Sequence, residues 1–168
     1  MADIQNVKMG VCSVKFGSTD LGHTKGGVTV SYEPDIQDIT VDKYGSTPAE
    51  KVLIGQKLRA TVPMAESTLE NLAIAMAGTN ATATKITLGG SVGTRLSSVA
   101  GQLVLHPIAN ASNDLSEDVV IYKAVAVNTI EIPFMVDSER IVEVEFEGII
   151  DESKVDGNML GLIGNSAS

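Results

Sequence analysis

VTVSYEPDIQDITVDKYGSTPAEKVLIGQKLRATVPM, Val28–Met64, is the stretch that decides the fold class. Val28, Val30 and Tyr32 alternate with Thr29, Ser31 and Glu33, the period-two texture of a half-buried strand. Pro34 lacks the N–H that a strand ladder needs, so it is expected to interrupt the run. Alternation resumes over 36–43 and again over 52–62. Between them lies Tyr44-Gly45-Ser46-Thr47-Pro48-Ala49, rich in turn formers. The expectation is a long antiparallel hairpin over about 36–62. Pairing Asp42 with Lys57 brings Thr40 to Arg59 and Asp38 to Thr61. The same register sets Val41 against Leu58 and Ile39 against Ala60, giving one apolar face and one charged face. A one-residue slip would turn the charges into the core, whereas a two-residue slip keeps the faces. The parity is therefore better determined than the register.

The same texture extends outward in both directions. Val142, Val144 and Phe146 alternate with Glu143, Glu145 and Glu147. The stretches 7–16, 86–88, 102–108 and 119–127 are further strand candidates. One segment has a different period: Leu69, Leu72, Ala73 and Met76 recur at helical spacing, one face of an amphipathic helix over about 67–77. Ser67 and Glu70 have the spacing of a capping box, and Gly78 is placed to end the helix left-handed. Pro63 should stop the strand before it. Residues 109–117 are small and polar and read as a loop. Gly157–Ser168 is rich in Gly and Asn and reads as a mobile or docking tail. Many strands and one helix predict a mainly-β sandwich or barrel with a helix packed on it, in a single domain over residues 1–168.

Composition narrows the function. The formal net charge is −9, which opposes a surface that grips nucleic acid but suits a wall that nucleic acid must slide past. No apolar run approaches the ~20 residues of a membrane-spanning helix. Met1–Asn6 lacks the basic and apolar regions of a secretory signal. Cys12 stands alone, so it cannot form an intrachain disulfide and reads as a small buried residue. Asn80-Ala81-Thr82 and Asn110-Ala111-Ser112 match the glycosylation pattern but read as polar turns without a secretory signal.

No motif in the chain assembles a catalytic set. Gly89-Gly90-Ser91-Val92-Gly93 fits G-x-S-x-G, but no helical period follows Ser91, and that chemistry needs a strand, a helix and a histidine base. His23 lies in a glycine-flanked turn and His106 ends a strand before Pro107; both read as structural, solvated or hydrogen-bonded. Clustered metal ligands are not apparent, and Gly22-His23-Thr24-Lys25-Gly26-Gly27 lacks the spacing of a phosphate loop. Tryptophan is absent and aromatics total 4%, a poor supply for base or sugar stacking. Glu143, Glu145 and Glu147 are the sharpest charge feature: like charges on one strand face must be wet or paired with cations. They read either as a solvated outer face or as an acidic lining. The expectation is a protein that is not an enzyme and uses no cofactor or metal.

Asp20-Leu21-Gly22-His23-Thr24-Lys25-Gly26-Gly27-Val28-Thr29-Val30-Ser31-Tyr32-Glu33-Pro34 resembles an early segment of the tail tube (major tail) proteins of long-tailed bacteriophages. Gly45-Ser46-Thr47-Pro48, Lys51-Val52-Leu53-Ile54-Gly55 and Val62 through Leu72 resemble later segments of the same family. The resemblance covers roughly residues 20–72. It implies a β-sandwich-like subunit with one helix, six-membered rings whose inner strands close into a continuous barrel, and rings stacked into a conduit for double-stranded DNA. Loops and terminal arms bridge rings in the family. The implied assembly loop comprises Tyr44, Gly45, Ser46, Thr47, Pro48, Ala49, Glu50 and Lys51. Lumen-facing candidates are Glu143, Glu145 and Glu147, then Asp38 and Asp42. The implied partners are further copies of the chain and the tape measure, tip or baseplate, and terminator proteins. The implied location is the virion tail, after synthesis in the host cytoplasm. A secretion-system tube subunit and a β-sandwich capsid decoration or adhesin module are the alternatives.

Overall fold

The computed structural model describes residue 4 and residues 7–165. Its elements in chain order are β1 (Cys12–Phe16), β2 (Thr19–Asp20), β3 (Thr29–Thr40), β4 (Pro48–Met64), α1 (Leu69–Ala75), β5 (Asn80–Thr82), β6 (Lys85–Thr87), β7 (Gly101–Pro107), β8 (Val119–Ala126), β9 (Val142–Gly148) and β10 (Gly161–Ile163). One large antiparallel sheet runs β2-β1-β7-β8-β9-β4-β3, with β10 added against β8; β5 and β6 form a separate small hairpin. The chain is thus mainly β with one α-helix and a long hairpin. The sheet curls without closing. Phe16 on β1 and Phe146 on β9 stack with ring centroids 5.5 Å apart although β7 and β8 lie between their strands. Four residues further along β4 from the partner of Phe146, Thr24 bridges to Met64, and the Lys25 N–H donates to the Pro63 carbonyl at 3.1 Å.

The core fills the concave side, and period-two alternation explains why. Ala60 lies opposite Phe146, Val62 opposite Val144 and Met64 opposite Val142; all six are fully buried. Between them Arg59 pairs with Glu147, Thr61 with Glu145 and Pro63 with Glu143 on the outer face. Full burial stabilises by roughly 1.5–3 kcal/mol per large apolar side chain. A one-residue slip would forfeit that for the whole strand. No helix among the described residues is long and apolar enough to cross a membrane.

Several expectations need correction. The hairpin is longer than 36–62 and its register differs. Thr61, expected opposite Asp38, pairs with Thr29; Asp38 pairs with Lys51, and Thr40 meets Pro48 rather than Arg59. The cause is Pro34. β3 is the edge of the sheet, where a missing N–H can face solvent, so the strand runs through Pro34 opposite Gln56. The chain then reverses at Gly45, whose φ of 63° suits glycine. The alternation of β4 itself holds, with Leu58 and Ala60 buried and Lys57 and Arg59 on the other side. The strand expected to stop at Pro63 ends one residue later, at Met64.

The helix is shorter than 67–77, and its cap is Thr68, whose side chain accepts from the Asn71 N–H; Ser67 is not the cap. Glu70 therefore makes no capping box and instead accepts from the Thr19 hydroxyl at 2.8 Å. The buried positions are Asn71 and Ala75, while Leu69 stays exposed. Asn71 is tolerated inside because its amide donates to the carbonyls of Leu21 and Glu66. Gly78 does adopt a left-handed φ of 82° beyond the helix. The tail is docked from 161 to 163, since Gly161–Ile163 pairs with Val119–Ile121 of β8. Residues 166–168 of that tail, and residues 1–3, 5 and 6 of the N-terminal stretch, lie outside the described residues.

Candidate functional site: an exposed hairpin arm

The outer part of the β3–β4 hairpin leaves the body of the protein. Every residue from 31 to 54 is exposed. Eight large apolar side chains lie in this stretch: Tyr32, Ile36, Ile39, Val41, Tyr44, Val52, Leu53 and Ile54, each 41–59% exposed. They occupy both faces. Ile36 sits opposite Leu53 on one face, and Gln37 opposite Val52 on the other. The pairing shifts between Asp35 and Ile36, where Ile54 is the extra residue on β4. A two-stranded ribbon alone in water is marginally stable, because it has too little surface to bury. This arm exposes apolar side chains on two sides and adds an unpaired edge along β3. Such a surface marks an interaction site or an aggregation liability.

The structure distributes the expected loop residues over two elements. Tyr44 closes a short 3-10 turn over Asp42–Tyr44, Gly45, Ser46 and Thr47 form the reversal, and Pro48, Ala49, Glu50 and Lys51 already belong to β4. Lys51 pairs with Asp38 across the arm. Asp42 lies at the tip. Asp38 shares the face of Ile36 and Leu53, so it is not on the face of Lys57 and Arg59 as the expected register had it.

Glu143, Glu145 and Glu147 do share one face, and Arg59 is brought among them. Its Nη1 lies 3.1 Å from Glu145 Oε1, and its Nε lies 2.8 Å from Glu147 Oε2. The Nε–H is off the line to that oxygen, so the second contact is one of charge more than a hydrogen bond. One guanidinium thus serves two carboxylates and leaves Glu143 exposed. Local alternation does not reveal this cluster: the expected register set Arg59 opposite Thr40, whereas it lies between Ser31 of β3 and Glu147 of β9, and Glu145 is 86 residues away.

Elsewhere, Ser91 lies in an exposed loop followed by a turn and a 3-10 segment at Leu96–Ser98, not by an α-helix. His23 is exposed, 3.8 Å from Glu66. His106 Nδ1 lies 2.7 Å from Oδ1 of the buried Asp118, a contact joining β7 to the residue just before β8. Burial pushes the Cys12 thiol pKa up, which keeps it protonated. Among the described residues no group of three or more His, Cys, Asp or Glu is placed to hold a metal ion. A scan of protein-family models and a search of curated proteins each returned no match to the chain.

Proposed function

We propose that the chain is a structural subunit that assembles with copies of itself into a hollow tube, the tail tube of a long-tailed phage through which DNA passes. The observation that carries the reading is the arm: a hairpin apolar on both faces, exposed from 31 to 54, attached to a curled sheet with free edges. Copies arranged in a ring would cover the arm and join open sheets edge to edge, which removes the edges. The resemblance of residues 20–72 to tail tube proteins supplies the identity of the tube and the expectation of six subunits per ring.

In this reading Glu143, Glu145 and Glu147 face the lumen, and Arg59 is held by carboxylates rather than left to grip phosphate. Three carboxylates against one guanidinium leave a negative excess that repels passing DNA over about 8–10 Å at physiological salt. Asp38 and Asp42, out on the arm, belong to the contacts between subunits instead. The test is electron microscopy of the purified protein at rising concentration. Rings or tubes with a central channel are expected. A species that stays monomeric at every concentration and forms no tube with tail components would overturn the reading.

A further inference from the structure

The strand that carries the three glutamates loses one neighbour halfway along. β8 and β9 pair as Ala124–Gly148, Val125–Glu147 and Ala126–Phe146, and the Val127 N–H adds one more bond, to the Glu145 carbonyl at 3.0 Å. There β8 has ended, while β9 extends back to Val142. β4, on the other side, cannot take over the main chain of the glutamates. In an antiparallel strand, alternate residues turn their N–H and C=O groups to opposite sides. Glu145 sends its carbonyl to the β8 side, so Glu143 and Glu147, two residues away in each direction, face that side too. The edge that β8 leaves open is therefore lined by backbone groups of Glu143 and Glu145.

One side chain occupies that edge. A continued β8 would offer β9 the carbonyl of Val127 and the N–H of Thr129. The Asn128 carboxamide offers the same two groups. Its Oδ1 accepts from the Glu145 N–H at 2.8 Å, and its Nδ2 donates to the Glu143 carbonyl at 2.9 Å. Nδ2 also donates to the Thr129 carbonyl at 3.1 Å, which fixes the plane of the amide. Only the oxygen can face an N–H and only the nitrogen can face a carbonyl, so the partners dictate the orientation. Val144, between the two clamped residues, is fully buried, so holding 143 and 145 sets both carboxylates outward. Glu145 there meets Arg59 Nη1 at 3.1 Å.

We propose that Asn128 is the positioning residue of the acidic row: its side-chain amide stands in for the missing strand beside β9, directs Glu143 and Glu145, and through Glu145 keeps Arg59 engaged. The proposal rests on the lumen reading for what the row does, but not for how the row is held.

The test compares the full-length protein with Asn128→Ala and Asn128→Asp at concentrations where it is a monomer. In Asn128→Ala, amide hydrogen exchange should show protection at Glu145 falling about tenfold, while Glu147, held by Val125, changes little. Asn128→Asp keeps the acceptor for the Glu145 N–H but sets an anionic oxygen against the carbonyls of Glu143 and Thr129. Protonation turns that oxygen into a donor. These neighbours raise the introduced carboxyl above its ordinary value of about 3.9 in the folded state. The loss of stability is then full above the raised value and gone below about pH 4. A role in packing alone would give a loss that ignores pH. Unchanged protection at Glu145, or a pH-independent loss in Asn128→Asp, overturns the proposal. If Asn128→Ala does not fold, the pH profile of Asn128→Asp decides alone. Tubes of either variant should eject DNA more slowly, because a released Arg59 is free to hold phosphate. Both monomer results with unchanged ejection would remove the row from the lumen and leave the hold of Asn128 standing.

Discussion

Replacing the facing pair on the arm, Ile36→Asp with Leu53→Asp, separates the stability of the subunit from the stability of the assembly. The two side chains are 50% and 48% exposed in the single chain. Full burial of such a side chain is worth roughly 1.5–3 kcal/mol, so the half still open to water is worth about 1 kcal/mol each on association. Losing both removes about 2 kcal/mol per contact, a factor of about 30 in affinity before counting the carboxylates. Two aspartates facing each other in a covered interface add desolvation and repulsion on top. Within the monomer the pair contributes only as a cross-strand contact, about 0.2–1 kcal/mol. For a chain of this size that corresponds to a melting shift of a few degrees, roughly 2–4 °C per kcal/mol. The expected outcome by sedimentation velocity and microscopy is a folded monomer that no longer assembles at concentrations where the wild type does. Assembly indistinguishable from wild type would refute the role given to the arm. A collapse of the monomer melt would refute the premise that the arm is peripheral to the subunit's own core.

Four further outcomes test the fold and the charged face. Thr68→Ala should cost roughly 0.5–2 kcal/mol in denaturant melts through loss of the helix cap, while Ser67→Ala should stay within about 0.5 kcal/mol. Phe146→Ala removes a fully buried ring stacked on Phe16 and should cost about 3–5 kcal/mol, read by the same melts. Asp151 accepts from the Ser153 hydroxyl and N–H and pairs with Lys123, and the Ser153 hydrogen bonds lead in holding its pKa below the ordinary 3.8. Its contribution to stability is present above that value and is lost as pH falls through the lower folded value, so Asp151→Asn should flatten the acid limb of a stability–pH curve below about pH 4. Replacing Glu143, Glu145 and Glu147 with lysine surrounds Arg59 with like charge; tubes that still form should eject DNA more slowly, and more so at low salt. Unchanged ejection by such tubes would remove these residues from the lumen.

The sequence alone determined the local periods. Alternation in 142–147 placed Val142, Val144 and Phe146 inward and the three glutamates outward, because side-chain direction in a strand has period two whatever the partner is. The single helix was legible from helical spacing, although its start moved by one residue because Ser67 and Thr68 are chemically equivalent caps. Pairing was decided by the tertiary structure. Whether Pro34 ends a strand depends on whether that strand is an edge, and only the sheet order establishes that β3 is one. Arg59 finds Glu145 and Glu147 across 86 and 88 positions of chain, a choice that no local pattern encodes. The exposed arm is likewise a property of which backbone edges meet no partner. A residue's own neighbours in sequence fix which way its side chain points, and the packing of distant strands fixes what it points at.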